Sequence, residues 1–190
     1  MHVLVFSDGV PRRPGEVAGS LGESARRWAA WGHRVSIVHP VPGPADGAPP
    51  WVLRPVVDGV ARVPVLPSRA AGLAGSLLTF LAILRAGLRA ARPDVVLAAS
   101  TRPGSVLAAV ALAALRRRPL VLERGSVPAP DRLVERLARR RARAVIAPGE
   151  PASGAAPAPP HGPEAVRYLE LLEECAFGPA PRRAELRRAA

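Results

Sequence analysis

Apolar residues in this chain come in short unbroken blocks, and between the blocks they recur at helical spacing. His2-Val3-Leu4-Val5-Phe6-Ser7 halts at Asp8-Gly9, the pattern of a strand covered on both faces. Val17, Leu21, Ala25 and Trp28 then recur at helical spacing, with Ser20-x-x-Glu23 as a possible capping box. Gly32 follows where a helix terminus tolerates positive φ, directly before Val35-Ser36-Ile37-Val38. Strand, helix and strand in succession predict a βαβ unit with a right-handed crossover.

The remaining pattern repeats the theme. Residues 41–55 are rich in Pro and Gly and read as a long loop. Residues 60–66 read as an edge strand, because Pro64 cannot donate to a ladder. A helix is predicted over residues 70–91, its arginines gathered toward the negative end of the dipole. Strands at residues 94–98, 120–122 and 144–147 alternate with helices at 105–115 and 131–142. The second of these helices should bury Leu133, Val134, Leu137 and Ala138 and present arginines outward. Such alternation predicts the α/β class with a single doubly wound parallel sheet. The expected organisation is a domain over residues 1–149, a Pro/Ala-rich linker over 150–163, a helix over 164–177 and a frayed basic tail over 178–190.

Composition narrows the chemistry. The 190 residues are 48% hydrophobic with a mean hydropathy of +0.12, enough apolar content to bury a core despite 23 prolines. Cys175 is the single cysteine, which excludes a disulfide framework and a Cys-based zinc site; on an apolar stripe it reads as a small buried hydrophobe. The formal charge is +12, carried by 27 basic residues that are all arginine. It is uneven: between Arg116 and Arg143, ten arginines less three carboxylates leave +7. Arg132, Arg136, Arg139, Arg140 and Arg143 would make a basic helix face, either solvated or set against anionic lipid headgroups. With few aromatics interleaved, nucleic acid is not expected as a partner. No export signal is visible at Met1–Ser7, and the longest uncharged stretch, residues 70–84, is 15 residues, short for a bilayer crossing. A cytoplasmic chain is expected, with a position against the inner face of the membrane as a further option.

In an open parallel sheet the crevice lies beyond the strand C-termini where the winding reverses, here between the first strand and the strand starting near Asp94. Ser100, Thr101, Arg102, Gly104 and Ser105 precede or open a helix there, so backbone N–H groups and a guanidinium could bind a phosphate or carboxylate. The competing reading is that the hydroxyls only cap that helix. Asp8 and Glu123 are candidates for a general base or hydrogen-bond acceptor, against a purely structural role for each, and Arg124 lies beside Glu123. Neither GxxxxGK[ST] nor GxGxxG occurs, which argues against a kinase, an ATPase or a standard dinucleotide enzyme. No His pair has metal-ligand spacing, so neither metal nor cofactor is expected.

Taken in order, the first strand, the loop at residues 11–15, Trp31-Gly32-His33-Arg34-Val35, Arg92-Pro93-Asp94-Val95-Val96 with Arg102-Pro103-Gly104, Arg118-Pro119-Leu120-Val121-Leu122-Glu123 and Ala144-Val145-Ile146-Ala147 resemble the N-terminal domain of family 4 glycosyltransferases. The resemblance implies a Rossmann-like half of a GT-B fold, binding a sugar or lipid-linked acceptor while a second domain binds a nucleotide-sugar. It also implies that Gly15 approaches the donor diphosphate, although Glu16 stands where the family often has a second glycine. Two further marks of the family are not found: a His or Asp after the fifth strand, where this chain reads Glu123-Arg124-Gly125-Ser126, and a glutamate pair separated by seven residues in the C-terminal part. The expectation is therefore an acceptor-side half, inactive alone, working with a separate donor-binding chain. The alternative is a non-enzymatic module that docks on a protein or an anionic membrane surface.

Overall fold

The computed structural model describes residues 1–8, 20–40, 54–57, 59–65, 72–90, 92–100, 102–123, 132–146 and 163–178. The expected linker, apart from Pro163, and the tail beyond Gly178 lie outside them.

The strands are β1 (His2–Ser7), β2 (Arg34–Pro40), β3 (Arg54–Val57), β4 (Val60–Val65), β5 (Val95–Ala99), β6 (Leu120–Glu123) and β7 (Ala142–Ile146). They form one sheet in the order β3-β4-β2-β1-β5-β6-β7. Six strands are parallel, and β3 alone pairs antiparallel, with β4. The helices are α1 (Ser20–Ala30), α2 (Gly72–Arg89), α3 (Pro103–Arg116), α4 (Arg132–Arg141) and α5 (Pro163–Phe177).

The winding reverses at β1, whose neighbours are β2 on one side and β5 on the other. One face of the sheet packs Leu4, Phe6, Val96, Ala98 and Leu122 against α2, α3 and α4. The other packs Val3, Val5, Leu97 and Val121 against α1 and α5, with Trp28, Leu169 and Leu172 inside. Both layers derive from strict alternation along strands with no polar side. Gly32, at φ +86°, ends α1 as its sequence position predicts, with the His33 N–H bonded to the Trp28 carbonyl at 3.0 Å.

Four local expectations change. Of the loop expected over residues 41–55, Arg54 and Pro55 belong to β3, and residues 41–53 lie outside the described residues. β4 consequently lies inside the sheet; Pro64 pairs in register with His39, beyond the stretch that β3 covers. α4 stops at Arg141 and β7 begins at the next residue, so Arg143 is a strand residue whose Nη2 donates to the Gly178 carbonyl, and it does not join the basic helix face. Of the four apolar residues of α4 expected to face inward, Val134 and Ala138 do so, whereas Leu133 and Leu137 are 81% and 43% exposed. A helix lying over the outer strands meets the core along a narrower stripe than four apolar residues span.

Candidate functional site

The parallel strands β1 and β5 deliver their C-termini side by side, Ser7 in register with Ala99. The next residues, Asp8 and Ser100, meet across this seam: the Ser100 hydroxyl donates to Asp8 Oδ1. The same hydroxyl accepts the Arg102 N–H at 3.1 Å. Arg102 Nε stands 4.0 Å from Asp8 Oδ1, with its side chain 56% exposed. Ser100 is buried and Asp8 half-buried, so a carboxylate is held from below and faced by a guanidinium on the solvent side. An ion pair this open contributes about 0–1 kcal/mol; its value is positional.

Arg102 is also the N-cap of α3, in extended backbone at φ −86° and ψ 123°, and Pro103 supplies no N–H. The N–H groups of Ser105 and Val106 both turn back to the Arg102 carbonyl at 3.1 Å. Of the two backbone donors expected to meet an anion, Gly104 therefore retains a donor without a partner among the described residues. A Cβ built on Gly104 would meet nothing within 4 Å, so space opens beside it. Ser105 Oγ is fully buried and has no partner among the described residues. Capping thus accounts for Ser100, which fixes the N–H of the N-cap residue, but not for the Ser105 hydroxyl.

Glu123 ends β6 on the other side of the pleat. Leu120 and Leu122 face the α2–α4 layer, so Glu123 falls on the α1–α5 face with its register partner Ile146. Continuing the same alternation, Asp8 and Ser100 follow Phe6 and Ala98 on the α2–α4 side. The structure brings Asp8, Ser100 and Arg102 together at the start of α3 and sets Glu123 on the opposite face. Burial pushes the Glu123 carboxyl above the ordinary carboxylate range. Gly15, Thr101 and Arg124 lie outside the described residues.

A second polar cluster, at the N-terminal ends of the strands, was not legible from spacing. His2 Nε2 lies 3.0 Å from Ser36 Oγ and Nδ1 lies 3.1 Å from the Arg92 carbonyl, while the His2 N–H donates to Asp94 Oδ2 at 2.8 Å. A carbonyl can only accept, which assigns the proton to Nδ1 and leaves Nε2 to accept from Ser36. These bonds tie β2 and the start of β5 to β1, with His2 buried; the cluster serves the sheet. Among the described residues no three His, Cys, Asp or Glu side chains gather as a metal site.

A doubly wound sheet with helices on both faces and a polar cluster at its switch point defines a Rossmann-like α/β domain. The chain belongs to glycosyltransferase family 4, whose family model matches residues 17–155. No curated protein matches it in sequence. Among solved structures it is similar to Anabaena Alr3699/HepE, crystallised in complex with UDP and glucose, at 19% identity and TM-score 0.43 over 75% of this chain and 37% of that one. It is also similar to CalG4, the calicheamicin glycosyltransferase, at 21% identity and TM-score 0.41 over 94% of this chain and 43% of that one. The chain spans less than half the length of either.

Proposed function

We propose that this family 4 domain forms the acceptor-side wall of a nucleotide-sugar-dependent transfer site, completed by a donor-binding domain in the same or a separate polypeptide. The observation that carries the reading is the Asp8–Ser100–Arg102 cluster at the switch point of a family 4 chain. In the transfer, the acceptor hydroxyl oxygen bonds to the anomeric carbon as the bond to the diphosphate breaks. The diphosphate leaves with the electron pair, and the hydroxyl proton passes to the Asp8 carboxylate as general base. Asp8 accepts the hydrogen bond of the incoming hydroxyl, and Ser100 keeps the carboxylate aimed. Arg102 and the Gly104 N–H, at the positive end of α3, face the developing phosphate charge without having to reorganise. Gly15, Thr101 and Arg124 are proposed to line the same crevice, and Glu123 its far side.

Half a cleft supplies only part of the preorganised charge that transfer needs, so the chain alone binds nucleotide-sugars weakly and does not turn them over. Calorimetry and a hydrolysis assay on the purified chain test this. Tight donor binding or turnover by the chain alone would overturn the division of labour. When a donor domain is supplied, Asp8→Asn is expected to lower kcat by about 10²-fold or more. Arg102→Ala should mainly raise the donor KM, as loss of an exposed phosphate contact does.

A further inference from the structure

We propose that the outer surface of the α2–α3–α4 layer docks peripherally on an anionic lipid bilayer. This stands apart from the sugar-transfer reading, because it uses none of the residues at the switch point. Each of the three helices joins parallel strands on one side of the sheet, so all run opposite to the strands and bring their C-termini to the same edge.

Their outward surface combines two features that water-facing helices keep apart. On α2, Leu78, Leu81 and Leu88 are 51%, 48% and 37% exposed, in one stripe with the exposed Arg85. On α4 the exposed Leu133 and Leu137 share a stripe with Arg136 and Arg140. Between them, Leu115 at the end of α3 is 65% exposed and is followed by three arginines. The sequences of α2 and α3 hold no carboxylate, and α4 holds Glu135 alone.

Helix-end arginines have a simpler use, and Arg116 shows it: its Nη2 donates to the Leu88 carbonyl at 2.9 Å, satisfying the end of α2. That role does not extend to Arg136 in the middle of α4, nor to the leucines. A nucleic acid would match the arginines but leave the leucines wet, whereas a bilayer offers anionic headgroups beside acyl chains. No helix is long and apolar enough to cross a membrane among the described residues, so contact is interfacial. The other face of the sheet orients the molecule, since α5 there carries Glu170, Glu173 and Glu174, which an anionic surface repels. With the helical layer down, the strands lie along the bilayer and the crevice opens sideways along it.

The test is co-sedimentation of the full chain with vesicles of equimolar phosphatidylcholine and phosphatidylglycerol, against phosphatidylcholine alone. Binding is expected only to the anionic vesicles and should fall with added salt. Arg136→Gln with Arg140→Gln should weaken it about fivefold per arginine removed. Leu78→Ser with Leu81→Ser should weaken it about tenfold. All four residues are exposed, and circular dichroism confirms that the variants fold. Equal binding to both vesicles, or none to either, overturns the proposal. So does a leucine variant that binds vesicles like the parent while a dimer dissociates in sedimentation velocity, which would make a second copy the occupant.

Discussion

Gly87 lies in α2 where the helix crosses the sheet, and a methyl group there would meet Phe6 Cζ at 2.9 Å and Leu112 Cδ2 at 3.2 Å. Both neighbours are fully buried and cannot swing aside. Gly87→Ala is therefore expected to destabilise the fold by about 1–3 kcal/mol, read as a lower denaturation midpoint in urea, despite the better helix propensity of alanine. His2 and Glu123 make the pH profile informative. Burial, outweighing the Arg92 carbonyl, lowers the His2 pKa from 6.5. As pH falls below 6.5 the unfolded chain takes up a proton that folded His2 refuses, so stability drops until the lowered folded value is passed. Glu123 acts in the opposite sense: as pH rises above 4.5 through its raised folded pKa, the unfolded chain ionises first and stability is lost. Thermal denaturation across this range should show His2→Asn removing the component that rises with pH, and Glu123→Gln the component that falls. At this scale the sequence pointed to Asp8, Ser100 and Arg102, because strand ends in an open sheet are known places. It did not show that one hydroxyl would serve both the carboxylate and the N–H of Arg102. The His2–Ser36 contact was hidden because a pairing 34 residues apart follows from sheet register alone.

Elements with uninterrupted apolar runs were legible almost to the residue: β1, β2, β5 and β6 each sit between two helical layers, so their sequences need no alternation. β3 was not, because a four-residue strand containing Pro55 and pairing on one side only leaves little trace in its sequence. The boundary between α4 and β7 was missed for a related reason. Arginine and alanine suit a helix as far as residue 142, and only pairing with β6 draws Ala142 into the sheet. α5 shows what the amphipathic stripe of the last helix is for. Leu169, Leu172 and Cys175 close the face of the sheet that α1 leaves open, and His33 Nε2 stands 3.7 Å from Glu173 Oε1 at the margin. Leu172 is fully buried, so Leu172→Ala should cost about 2–5 kcal/mol, measured by chemical denaturation. The exposed neighbour Val166, on the same helix, should tolerate alanine within about 0.5 kcal/mol.

The whole molecule is strongly cationic, with arginines concentrated on one helical layer and several carboxylates on the helix that covers the opposite face. A formal charge of +12 works against compaction, and the repulsion is long-ranged at low ionic strength. The melting temperature is therefore expected to rise as sodium chloride is added from millimolar to physiological levels, and a flat or falling salt dependence would contradict that balance. The fold class was readable from the sequence because parallel sheets and their crossovers repeat one pattern. The exposed leucines of the helical layer were not, since an apolar residue in a helix is read as core until packing shows that nothing covers it. The clasp at Ser100 bears on any attempt to redesign this scaffold. A position that both launches a helix and tethers a side chain from the other half of the sheet admits almost no library diversity, threonine being the nearest substitute. Arg102 and Gly104, whose side-chain directions open into free volume, are where an engineer seeking altered ligand selectivity should randomise first.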